Sequence, residues 1–165
     1  MITVFTGFAV VLGNLGFSTA LIQRTDLEDR HYSSVFWLNT VIGFILTAVV
    51  ICVAPALASF YDRTELAPLT MLVASTFFFT ALRSVQTAML EQRMDFRLLG
   101  IIDIGGIIVS GGAAIVMALM GFGVWSLVWQ TLIMSVATCA LTWLFVKWKP
   151  GLRFDLSALK ELMKF

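Results

Sequence analysis

The chain has 165 residues, of which 59% are hydrophobic and 13% charged, and its mean hydropathy is +0.95. An average soluble domain is about 45–50% apolar and about 25% charged, so these values point to a membrane protein. A net charge of +1, from basic residues neither numerous nor continuous, gives no reason to expect nucleic acid as a partner.

A helix needs about 20 apolar residues to cross the hydrocarbon core. Five stretches meet that length, at about residues 2–22, 34–60, 66–90, 98–120 and 124–146. The expected fold class is all-α, a polytopic membrane helix bundle occupying residues 1–150. Alternating ten-residue strands are missing, which argues against a β-barrel.

The first run has no Lys or Arg before Arg24, unlike a secretory leader, and reads as a retained span. Thr3, Gly7, Asn14 and Ser18 recur along it at helical spacing. A short loop follows with Arg24, Asp26, Glu28, Asp29, Arg30 and the sole histidine, His31, which reads as a surface residue. The second span has Asn39 near one end and Pro55 near the other, where the missing backbone donor is expected to kink or end the helix.

The third span holds Arg83, about 12 Å from its end at about 1.5 Å per residue. Thr76, Thr80 and Thr87 share its face, with Gln86 at the edge. An arginine at that depth costs at least about 2.5 kcal/mol on insertion scales, less what snorkelling recovers. A functional cation and a snorkelling anchor both fit the pattern. Asp103 lies a turn or so inside the fourth span, on the face of Gly106, Ser110 and Ala114. That small-residue stripe suits close helix approach. Arg83, Arg93 and Arg97 are its candidate partners, with titration as the alternative.

The fifth span carries Thr131, Ser135, Thr138 and Thr142 in one stripe. Trp37, Tyr61, Trp125, Trp143 and Trp148 sit where aromatic belts are expected. Cys52 and Cys139, the two cysteines, lie inside apolar runs and read as buried small hydrophobes. In the tail, residues 151–165, Leu156, Leu159, Leu162 and Met163 oppose Lys160, Glu161 and Lys164. This is the pattern of a short amphipathic helix at a membrane surface, broken off before it ends.

Basic residues in short loops stay cytoplasmic. Arg24, Arg30, Arg93, Arg97, Lys147, Lys149, Arg153, Lys160 and Lys164 fall on one side and Arg63 alone on the other. The N-terminus is therefore expected outside and the C-terminus in the cytoplasm. There is no phosphate-binding glycine loop with Lys, no HExxH and no Cys/His cluster. Nothing in the sequence points to an enzyme, a cofactor or a metal.

The run LGFSTALIQR, an acidic loop and YSSVFWLN resemble the second and third helices of the bacterial polysaccharide transporter, or Wzx-type oligosaccharide flippase, family. The likeness continues through APALASFYDRTELAPL, ALRSVQTAMLEQRMDFR and GFGVWSLVWQ to KPGLRFDLSALKEL, covering essentially the whole chain. It implies helices two to six of a two-lobe transporter in the bacterial inner membrane. Such proteins move a polyprenyl-diphosphate-linked oligosaccharide outward by alternating access, through a cationic cavity and with an ion gradient. The family's first helix and second lobe are absent, so the chain is expected to be a fragment, inactive alone, completed by the missing lobe or working beside a polysaccharide polymerase.

On this resemblance Arg83 is the first candidate for the diphosphate, because its guanidinium matches phosphate oxygens bidentately. Arg24, at the cytoplasmic mouth, is the second. Asn39, Gln86 and Thr80 are candidate sugar contacts, and Asp103 is a candidate carrier of a coupling proton. The alternatives are a drug/cation antiporter of the same superfamily, which would favour more acids in the cavity, and a non-transporting subunit of a polysaccharide synthesis complex.

Overall fold

The computed structural model describes residues 29–62 and 65–151. These form four helices: α1 (Asp29–Phe60), α2 (Leu66–Gln92), α3 (Phe96–Leu119) and α4 (Val124–Phe145). All four are long and apolar enough to cross a membrane, and no strand occurs among the described residues. The first expected span and the amphipathic tail beyond Gly151 lie outside the described residues.

Helix bounds follow the hydropathy pattern closely, except at the start of α1. That helix begins at Asp29 and takes in the polar residues expected to belong to the preceding loop. His31 is buried there, which corrects its reading as a surface histidine. Pro55 does not end α1 either: the helix continues to Phe60. Cys139 is buried as expected, but Cys52 is exposed on α1.

Matched contacts fix the topology. Tyr32 reaches Gln92, Asn39 reaches Ser84 and Thr47 reaches Ala74, so α1 and α2 are antiparallel. Gly43 allows their close approach, because a Cβ there would collide with Ala81 and stand 3.3 Å from the Phe77 carbonyl oxygen. α3 and α4 pair in the same way. A Cβ on Gly106 would meet Thr138 at 2.5 Å and Met134 at 3.0 Å, and the Ser110 hydroxyl lies 3.6 Å from the Met134 sulfur. Small residues let helices touch where apolar solvent gives no hydrophobic drive, and here they hold both hairpins. α2 also packs along α4, and it meets α3 over a smaller area.

The turns are tight. After α2, the Asp95 amide donates to the Leu90 carbonyl at 2.9 Å and the Met94 amide to Glu91 at 3.0 Å, with Met94 at φ 56°. This is a Schellman closure without the usual glycine. Asp95 then caps α3, its carboxylate accepting from the Leu98 amide at 3.2 Å. The turn after α3 repeats the closure with Gly121 at φ 85°.

Beyond α4 the chain turns back along α1. The Gly151 amide donates to the Ser33 hydroxyl at 2.9 Å, and the Trp37 indole donates to the Gly151 carbonyl at 3.0 Å. Trp148 packs edge-on against Tyr32 and Phe36, and Phe36 also meets Trp37 and Trp143. This aromatic cluster adjoins the buried core of Val35, Val85, Ala88 and Met89.

Candidate functional site

Asn39, Arg83, Gln86 and Asp103 lie in the half of the bundle nearer this cluster. Arg83 lies about 13 Å from the end of α2, and Asp103 about 10 Å from the start of α3, at about 1.5 Å per residue. They therefore share a depth. The Arg83 Nη1 is 3.7 Å from the Asp103 Oδ1, a charge pair too long for a direct hydrogen bond. Of the three arginines in reach by sequence, Arg83 is the one that Asp103 faces. The pair spans the loosely packed α2–α3 boundary, and its side chains stay 25% and 51% exposed.

The other expected site residues divide by their position around α2. Thr80, one turn from Arg83 and exposed, returns its hydroxyl to the Thr76 carbonyl at 2.8 Å. Its oxygen is still able to accept from a ligand beside the guanidinium. Asn39 does not join this face. It is buried between α1 and α2, where its amide donates to the Ser84 hydroxyl at 2.9 Å, and Ser84 in turn donates to the Ala81 carbonyl. Gln86 is fully buried, at 0% exposure, and neither its amide nitrogen nor its oxygen has a hydrogen-bond partner. Arg24 lies outside the described residues.

The structure thus brings Arg83, Thr80 and Asp103 to one open boundary, seals Gln86 beside it, and sets Asn39 on the opposite side of α2. Sequence reasoning missed Ser84 as the partner of Asn39. The signal was available in the antiparallel register, since the two lie at matching depths of adjacent spans. No group of His, Cys, Asp and Glu able to hold a metal occurs among the described residues.

Four membrane-length helices with a charge pair at depth define a multi-pass membrane protein. The chain belongs to the family described as polysaccharide biosynthesis proteins, whose model matches residues 1–165. It is 30% identical over 162 residues to the teichuronic acid biosynthesis protein TuaB of Bacillus subtilis, covering 97% of this chain and 34% of that protein. It is 26% identical over 160 residues to the succinoglycan biosynthesis transport protein ExoT of Rhizobium meliloti, covering 96% and 32%. With the lipopolysaccharide biosynthesis protein WzxC of Escherichia coli the identity is 20% over 168 residues, covering 98% and 33%. The chain spans about a third of the length of these curated relatives. No solved structure matches it.

Proposed function

We propose that this chain forms part of a membrane transporter that moves lipid-linked oligosaccharide units across the bacterial inner membrane for surface-polysaccharide synthesis. The observation that carries the reading is the half-open Arg83–Asp103 pair at membrane depth. A charge turned to lipid costs about 2.5–3.5 kcal/mol on insertion scales, so an exposed pair at this depth belongs on a polar cavity. An arginine there suits a polyprenyl diphosphate, whose oxygens accept two parallel guanidinium bonds. Names of two relatives support the same direction, one a biosynthesis transport protein and one a lipopolysaccharide biosynthesis protein.

In this reading Asp103 neutralises Arg83 until the diphosphate arrives. The released carboxylate is then the group that takes up a coupling proton. Thr80 stands beside the guanidinium to meet the head group or first sugar, and Arg24 receives the diphosphate at the cytoplasmic mouth. The N-terminus is outside and the C-terminus inside, as the basic residues require. The second lobe supplies the other wall, because rocking of one repeat against another needs both. Pairing of Asp103 with Arg83 counts against a cation antiporter, which needs a free acid.

The test is complementation of a flippase-deficient strain with the full-length protein. Arg83→Ala is expected to cut surface polysaccharide at least about 100-fold at unchanged membrane abundance, the scale of losing a buried charge-assisted contact. Normal polysaccharide in that variant would remove Arg83 from the transport path.

A further inference from the structure

Past the end of α4 the chain runs extended, and its side chains alternate in exposure. Val146 has φ −90° and ψ 104°, and residues 146–151 form neither helix nor turn. Val146, Trp148 and Pro150 are half-buried, whereas Lys147, Lys149 and Gly151 are exposed. That is the two-residue period of an extended chain. Both lysines therefore leave the same face, with Cα atoms about 6.6 Å apart at about 3.3 Å per residue.

The inner face of this strap is pinned. Trp148 stands edge-on to Tyr32 and Phe36, with ring centroids 6.3 and 6.2 Å away. The Gly151 amide and carbonyl bond Ser33 and Trp37, and a Cβ on Gly151 would stand 3.3 Å from the Ser33 oxygen. With that face held against α1, the lysines are directed away from the bundle. Among the described residues neither lysine has an ion-pair partner, and the strap itself contains no acid. Its depth follows from α4, whose 22 residues span about 33 Å at about 1.5 Å per residue, enough to cross a core of about 30 Å. The strap thus begins where headgroups begin, beside indoles that favour that level. Arg93 and Arg97 are exposed at the same end of the bundle. The acids there are the half-buried Glu91 and Asp95, whose carboxylate caps α3.

We infer that the strap of residues 146–151 is a dock for the headgroups of anionic phospholipids, with Lys147 and Lys149 as the contacting residues. An ammonium on a flexible four-carbon stem suits a phosphate in a mobile lipid layer, where no fixed geometry is offered. Lysines near an anionic surface strengthen attachment by about fivefold each. Because Trp148 and Gly151 belong to the same strap, lipid bound on its outer face fastens the clasp between α1 and the end of α4. Any ligand that prefers the fastened state slows its release.

The experiment is amide hydrogen exchange on the full-length protein in nanodiscs of phosphatidylglycerol or of phosphatidylcholine. No polyprenyl lipid is present, so the outcome is independent of the export reading. Exchange at Trp148 and Gly151 is expected to be at least about fivefold slower in phosphatidylglycerol, with Gly121 at the other end of α4 unchanged. Lys147→Gln with Lys149→Gln, at exposed positions, should abolish that difference, and Lys147→Arg with Lys149→Arg should retain it. Equal exchange in the two lipids, persistence of the difference in the glutamine variant or its loss in the arginine variant overturns the inference. Equal protection by inorganic pyrophosphate in phosphatidylcholine discs would assign the lysines to a soluble anion and overturn it too.

Discussion

At the end of the bundle where α1 begins and α4 finishes, Ser33, Trp37 and Gly151 exchange two hydrogen bonds, Tyr32 reaches Gln92, and an aromatic cluster closes over them. At the opposite end, Phe60 and Tyr61 touch only edge to edge. There Phe60 and Leu119 stand largely exposed, and the α3–α4 turn is a glycine closure whose Gly123 carbonyl accepts from the Ser126 hydroxyl of the next helix at 2.7 Å. The difference teaches what holds helices in an apolar solvent. Lipid is as apolar as leucine, so side-chain hydrogen bonds and close packing must do what hydrophobic burial does in water. The clasped end has both. Arg83 and Asp103 lie in that half, so their geometry is fixed from below, while among the described residues the far end has fewer side-chain bonds between helices.

The largest effect on this comparison is expected from Trp148→Ala at the clasped end, which removes the edge contacts to Tyr32 and Phe36 and the packing around them. Two aromatic pairs at about 0.5–1.5 kcal/mol each, plus lost burial, give about 2–4 kcal/mol of destabilisation, read by unfolding in mixed micelles. Phe60→Ala at the far end, where the ring is 79% exposed, should change stability by less than about 0.5 kcal/mol. Equal losses at the two ends would erase the contrast.

Gly43→Ala comes next. Its new methyl would collide with Ala81 against a fixed backbone, and overpacking of this kind costs about 1–3 kcal/mol. Gly106→Ala should cost a similar amount, because its new methyl would meet the Thr138 Cγ2 at 2.5 Å, and a β-branched side chain has little freedom to move aside. Ser33→Ala removes the acceptor of the Gly151 amide and should cost about 1 kcal/mol. Its sharper readout is faster amide exchange at Gly151, with no change at Gly121. The smallest effect has the opposite sign: Met94→Gly relieves a left-handed methionine and should stabilise by about 1 kcal/mol, whereas Gly121→Ala introduces the same strain.

Much of this architecture is legible in the sequence because the bilayer enforces it. Leu66 and Val124 begin their helices where the apolar runs begin, since charge and glycine mark those limits. Hydropathy does not see the polar first turns of α1, which are helical because the clasp buries them and not because they are apolar. Asp103 and Arg83 stood out as ionisable residues at depth, and the structure then selected one partner from three arginines. The contacts of Ser33 and Trp37 with Gly151 leave no local trace, because they join residues more than a hundred positions apart. The seclusion of Gln86 was equally hidden. Its place at the edge of a polar stripe suggested access, and only the packing of α2 closes it off.

The central claim is that the guanidinium at position 83 serves transport and not only the pairing of α2 with α3. A charge swap, Arg83→Asp with Asp103→Arg, keeps the pair and moves the guanidinium to α3. The measurement is surface polysaccharide in a flippase-deficient strain carrying the swapped full-length protein, normalised to its abundance in the membrane. The account predicts normal abundance with less than about a tenth of wild-type polysaccharide, because the phosphate-binding fork is displaced. Wild-type polysaccharide from the swapped protein would show that the pair is structural, and would contradict it.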